Sequence, residues 1–148
     1  MPEGSSSPGG RLLVSEEDGA LVARIANEAR ANALDDAILD DLVSLLEGPR
    51  AAGARVVLLA GAGERHFSAG LDLGDRGADE LPAFLQEGER RLGRAARAIA
   101  AAPVPVIGVL NGAAFGGAVA QVEAGREVAL PRAGQQHDAG RCRPGSLQ

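Results

Sequence analysis

The alternation of apolar and polar positions divides the chain into elements before any chemistry is considered. Arg11 to Ser15 (RLLVS) and Ala20 to Ala26 (ALVARIA) are β-leaning runs on either side of Glu17-Asp18-Gly19. A D-G pair between two such runs predicts an opening hairpin. Asn27 to Ala33 then reads as a polar loop without period. From Leu34 the apolar residues fall at Leu34, Ile38, Leu42, Leu45 and Leu46, one stripe of a helix that starts near Asp35 and Asp36. Early acids suit a helix N-terminus, and Gly48-Pro49 ends it. Arg55 to Ala60 is apolar throughout after its first residue, the pattern of a buried strand. Strand, helix, strand in this order favours a sheet covered by helices.

Gly61 to Leu73 is a glycine-punctuated loop whose last part, Phe67-Ser68-Ala69-Gly70-Leu71-Asp72-Leu73, is unusually apolar. Loops are normally solvated, so this one implies backbone held against something it must contact. Gly74 to Glu80 is a polar connection. A second amphipathic helix is predicted from Leu81 to Ala101, with Leu81, Phe84, Leu85, Leu92, Ala95, Ala96 and Ile99 on one face. Arg90, Arg91, Arg94 and Arg97 line its other side as a solvated face. Pro103 and Pro105 break that helix and lead into a buried strand, Val104 to Leu110. Asn111-Gly112 turns the chain, and Ala113 to Ala120 is again a small-residue, glycine-containing turn, expected to open a helix with unpartnered N–H groups. Beyond Ala120 no period survives except a short run from Val119 to Glu127, so this segment is not expected to extend the core.

Composition narrows the function classes. The chain has 148 residues, room for one domain, with 45% hydrophobic and 24% charged residues, ordinary for a globular protein. Its formal net charge of −5 and its three Phe without Trp or Tyr argue against nucleic acid, which needs a basic footprint and aromatic platforms. All fifteen basic residues are Arg, which in so Ala- and Gly-rich a chain reads as GC-rich coding bias. The single Cys142 cannot form an internal disulfide. Residues 1–10 lack a basic start and an apolar stretch, so a disordered leader is expected rather than a signal or membrane segment, and a cytoplasmic location follows.

Candidate chemistry sits at the two strand-to-turn junctions. Each offers main-chain N–H groups in a small-residue loop, where glycine and alanine let a ligand approach closely. An oxyanion hole needs such donors, each worth roughly 3 kcal/mol when aimed at a developing enolate oxygen. Tight turns between packed elements would leave the same pattern, and both readings stand at this point. No motif places a His beside Ser68, and His66 reads as a surface loop residue. His137 and Cys142 are too isolated for a metal site, so no metal is expected. Gly61-Ala62-Gly63 lacks the third glycine and the following helix of a dinucleotide fingerprint.

Three stretches in order, ARANALDDAILDDL from Ala29, RVVLLAGAGERHFSAGLDL from Arg55 and PVPVIGVLNGAAFGGA from Pro103, resemble the crotonase superfamily, the enoyl-CoA hydratase/isomerase group. The resemblance covers Arg11 to Ala120. It implies an α/β fold, the crotonase-like spiral of β-β-α units, here truncated: a leader at 1–10, an incomplete core at 11–120 and an atypical tail at 121–148. It implies an acyl-CoA thioester as substrate, with CoA part of that substrate and no separate cofactor. Leu71 and Gly117 take the places of the two backbone oxyanion donors. Arg30, Ala31, Ala33 and Ala69 take the places that hold CoA, Arg30 as a candidate phosphate contact. The family forms trimers or hexamers through a region this sequence does not match.

The departures shape the expected activity. Family hydratases carry a catalytic Glu where this chain has Ala120, and a second Glu falls in a segment without counterpart here. Glu123, one helical turn further on, is a weaker candidate. General acid–base groups contribute about 10²–10⁴-fold, so weak or no turnover is expected. A non-catalytic acyl-CoA-binding or partner subunit and a gene remnant are the alternatives. The abrupt change in residue usage is what a reading-frame shift produces, with Val119 to Gln148 then out of frame. Asp72 reads as a loop-structuring residue that caps neighbouring N–H groups.

Overall fold

The computed structural model describes residues 5–6, 12–74, 76–116 and 127–129. Two strands, β2 (Leu12–Glu17) and β3 (Ala20–Ile25), form the opening hairpin, with Glu17 opposite Ala20 across Asp18-Gly19. Both turn residues have positive φ, 50° and 80°, the geometry that a D-G pair supplies at little strain. β1 (Ser5–Ser6) pairs antiparallel with β2, so part of the stretch expected to be a leader lies along the sheet edge.

From β3 onward the sheet is parallel. β4 (Val56–Gly61) pairs with β3 and β6 (Val106–Val109) pairs with β4. β8 (Glu127–Ala129) adds beyond β6, giving the order β1-β2-β3-β4-β6-β8. The segment after Ala120 thus contributes a three-residue strand to the sheet, where no strand period was legible. Glu127-Val128-Ala129 is too short to carry a period.

Between β3 and β4 runs α1 (Asp36–Glu47), followed by the short α2 (Pro49–Gly53). The Asp35 carboxylate accepts from Ile38 N at 2.9 Å as N-cap, Asp36 stands in the first turn, and Pro49 opens α2 where its missing N–H does no harm. Between β4 and β6 the chain makes a short strand, β5 (His66–Ser68), and then α3 (Leu81–Ala100). After β6 comes β7 (Ala113–Ala114), which pairs parallel with β5 in a second, two-stranded sheet. Among the described residues β4, β5 and α3 make a unit of long strand, short strand and helix, and β6 and β7 repeat its first two members.

The core lies between the main sheet and the α1/α3 layer. Leu12, Leu21, Ile25, Ile38, Leu42, Leu59 and Phe67 are all buried in it. α3 differs from its predicted face: Ala95, Ala98 and Ile99 are buried, whereas Leu85 is exposed and Leu81 and Phe84 only half-buried. Its first turns project past α1, so the apolar stripe there finds no described layer to cover it. Arg91 belongs to the packing as well as to the solvated face: it reaches Asp40 at 3.1 Å and Asp36 at 3.6 Å, tying α3 to α1, and pairs with Glu87 of its own helix at 3.5 Å.

Candidate functional site

Two loops of the spiral run side by side, residues 30–34 after β3 and residues 68–72 after β5. Ala69 N donates to Ala31 O at 2.9 Å, Leu34 N to Gly70 O at 2.7 Å, and Asp72 N to Leu34 O at 2.8 Å. This is a one-residue parallel bridge between Leu34 and Leu71. In a parallel ladder the residue opposite the bonded one turns its own N–H and C=O the other way. The Leu71 N–H therefore points away from Leu34, toward the side where the third turn of the spiral passes.

That third turn is fixed by the β5–β7 pairing. Phe115 N donates to Ser68 O at 3.0 Å and Ala113 N to Arg65 O at 3.1 Å. Gly116, with φ of 54°, follows directly, and a Cβ built on it would lie 3.9 Å from Gly70 Cα. Gly117 and Ala120 lie outside the described residues, as do Glu123, His137 and Cys142. The described chain reaches Gly116 beside the Gly70 turn.

The buried Ser68 hydroxyl latches the two loops. It donates to Asn32 O at 2.7 Å and accepts from Gly70 N at 3.2 Å, so both of its roles are structural. His66 sits half-buried in β5 rather than in a surface loop, because its backbone pairs with Ala113. The Asp72 carboxylate accepts from Gly74 N at 3.0 Å, the expected capping contact, and from Arg30, whose Nη2 lies 2.8 Å away. Arg30 remains about half exposed, with Nε and Nη2 both on Asp72 Oδ1.

The five described positions that the resemblance nominated, Arg30, Ala31, Ala33, Ala69 and Leu71, all lie on this pair of loops. They are not equivalent. Ala33 is buried, its N–H bonded to Arg30 O and its C=O accepting from the Asn27 side chain. The N–H and C=O of Ala31 are also taken up, by Glu28 O and Ala69 N. These alanines shape the loop, and Arg30 presents the accessible polar group.

Beside the loops lies a cleft of about 340 Å³ lined by Arg30, Leu34, Leu71, Asp72, Arg76, Phe84 and Gly88, within the size range of ligand sites. Leu71 forms its inner wall against α3; a Cβ on Gly88 would come within 2.9 Å of Leu71 Cδ1. Arg76 stacks 3.6 Å over the Phe84 ring, a cation–π contact, and donates to Leu73 O at 3.0 Å. A second depression of about 430 Å³ near Leu46, Gly48, Arg97 and Pro103 touches none of these loop residues.

Sequence reasoning passed over two asparagines. Asn32 is buried in a left-handed conformation, φ 56°, and its Nδ2 donates to Ala62 O and His66 O, each at 2.9 Å. Asn111 Oδ1 accepts from Gly61 N at 2.8 Å, while Nδ2 donates to Gly63 O at 2.8 Å and His66 O at 3.2 Å. Asn111-Gly112 was legible as a turn. The demand for an amide became visible only once the backbone of the neighbouring turn lay beside it.

The arrangement defines a class: an α/β spiral of strand-and-helix units that brings successive strand-to-turn junctions side by side. The chain belongs to the enoyl-CoA hydratase/isomerase family, whose sequence pattern matches residues 15–122. It is 31% identical over 104 residues to the "probable enoyl-CoA hydratase echA6" of Mycobacterium tuberculosis, covering 70% of this chain and 40% of that protein. It is also similar to a crystal structure of an enoyl-CoA hydratase from Bacillus anthracis, with TM-score 0.69 and 25% identity over 81% of this chain and 47% of the other. Human enoyl coenzyme A hydratase domain-containing protein 3 shares the fold, with TM-score 0.71, 23% identity and coverage of 81% and 47%. The fold is thus crotonase-like, and the chain spans roughly half the length of these relatives. No helix among the described residues is long and apolar enough to cross a membrane.

Proposed function

We propose that the chain binds an acyl-CoA thioester and polarises its carbonyl between the N–H groups of Leu71 and Gly117, stabilising the enolate form. The observation that supports this is the Leu34–Leu71 bridge, which turns the Leu71 N–H toward the side that Gly116 approaches. Backbone donors held this way need no reorganisation when negative charge develops on the thioester oxygen. Arg30 supplies a cationic group to the CoA phosphates at the mouth of the cleft, with Asp72 holding its guanidinium in place.

Completing hydration requires one group to activate water and one to manage the α-proton. Ala120 provides neither, so turnover of an enoyl-CoA is expected to be weak or absent. That residue favours a second reading, an acyl-CoA-binding or partner subunit that polarises without converting. Purified protein titrated with an acyl-CoA and then assayed with an enoyl-CoA separates the two. Binding with turnover supports a hydratase or isomerase, and binding without turnover supports the subunit. No binding at a ligand concentration that saturates a full-length family enzyme refutes both.

A further inference from the structure

We infer that the Leu71 side chain, seated on Gly88 of α3, stops the inner end of the cleft and restricts the site to short acyl groups. This rests on the acyl-CoA reading above and names the size class of the acyl part. Gly88 is buried within α3, whereas Phe84, one turn earlier, is half-buried and Leu85 exposed. What stands over Gly88 is the end of Leu71: the three atoms nearest to a Cβ built there are Leu71 Cδ1, Cδ2 and Cγ, at 2.9, 3.6 and 3.8 Å. Glycine is the poorest helix former after proline, so one inside a helix calls for a reason. Here the reason is the room that Leu71 occupies.

The stop is firm on both sides. The Leu71 side chain already lies against α3, and its backbone is held by the bonds from Leu34 N to Gly70 O at 2.7 Å and from Asp72 N to Leu34 O at 2.8 Å. The cleft also has a direction. Its two arginines, Arg30 and Arg76, are exposed, whereas Leu34 and Gly88 are buried and Leu71 is half-buried. An anionic head therefore stays at the rim, and an apolar tail runs inward and meets Leu71. A thioester carbonyl held on the Leu71 N–H brings the first acyl carbons beside the same residue's side chain. A methylene fills about the volume of a water, roughly 30 Å³, so the whole cleft of about 340 Å³ holds about eleven such groups with no part of CoA inside it. With the thioester end included, the tail that fits is shorter.

The test is titration calorimetry of the full chain with saturated straight-chain acyl-CoAs from acetyl to dodecanoyl, free CoA being run in parallel. In the unmutated protein affinity should rise about fourfold per methylene and level off by octanoyl. Leu71→Ala takes three carbons off the stop, so the plateau should begin about three methylenes later, and tails of that length should bind at least tenfold more tightly than to the unmutated protein. Gly88→Ala pushes the leucine end into the cleft and should bring the plateau forward by about one methylene. A leucine that only held the loops in place would lower every affinity together, free CoA included, and such a uniform drop overturns the inference. An unbroken gain to dodecanoyl in the unmutated protein overturns it too. If Leu71→Ala does not fold, Gly88→Ala decides alone, and a plateau that stays put refutes the stop. Binding with an unmoved plateau removes only the stop and leaves the acyl-CoA reading standing, whereas no binding at any length overturns both.

Discussion

Replacing Ser68 by Ala separates a structural hydroxyl from a nucleophilic one. The side chain is fully buried at 0% exposure, donates at 2.7 Å to Asn32 O and accepts at 3.2 Å from Gly70 N. Ala preserves backbone and volume but leaves a buried carbonyl and a buried N–H without their partner. Each unsatisfied buried group costs about 1–3 kcal/mol, so the pair predicts a loss of roughly 2–4 kcal/mol, the upper end of which needs both groups to stay dry. With a mid-range m-value of about 2 kcal/mol/M for a small domain, the urea midpoint should fall by about 1–2 M. The measurement is equilibrium unfolding followed by far-ultraviolet circular dichroism, comparing wild type, Ser68→Ala and Ser68→Thr. A change in Ser68→Ala below about 0.5 kcal/mol, the range of ordinary surface substitutions, would refute the latch. A variant of unchanged stability that lost a catalytic activity would point instead to Ser68 as a nucleophile.

The other expected outcomes follow the same contacts. Gly112→Ala should destabilise by more than about 2 kcal/mol or prevent folding, because the new Cβ meets immovable backbone at 2.5 Å; thermal melting reads this. Gly88→Ala meets only the far end of the Leu71 side chain, at 2.9 Å. The helix-propensity gain of about 1 kcal/mol should offset that push, leaving the melting temperature close to wild type. Asp35→Ala removes the N-cap of α1 and should cost about 1 kcal/mol in urea unfolding. Arg30→Gln should weaken acyl-CoA binding and flatten its salt dependence in titrations at several ionic strengths, while stability changes by less than about 1 kcal/mol because the Asp72 pair is partly exposed.

The hairpin, α1, β4 and the extent of α3 were legible because each carries a period or a turn signal that acts locally. The buried stripe Ile38, Leu42 and Leu46 and the D-G turn are examples. What local pattern could not supply was the contact between units. β5 is three residues long, β7 two and the Leu34–Leu71 bridge one, so none reaches the length at which alternation can be counted. Leu85 was assigned to a buried face since helical period marks a side of the helix, not how far its packing partner extends. Asn32 was hidden in a loop without period, and its role depends on carbonyls thirty residues away. Leu71 was reached through family resemblance; the direction of its N–H came from the bridge.

The two halves of the proposed acyl-CoA chemistry differ in how they depend on sequence. Oxyanion donors are main-chain groups, so almost any residue that keeps the turn keeps the donor; Leu71 differs from a small residue there only in filling the wall against Gly88. Proton transfer depends on particular side chains, and on the proposed reading Ala120 stands where such a side chain would be needed. The proposed reading therefore predicts preference for enolate-like over saturated ligands without matching turnover. The preference should exceed what the added ligand oxygen gives in water, since the donors act in a partly desolvated turn. Equal affinity for a saturated acyl-CoA and a fully ionised ketoacyl-CoA of the same chain length would mean that the Leu71 N–H does not reach the thioester oxygen, and the spiral would then serve as a CoA cradle only.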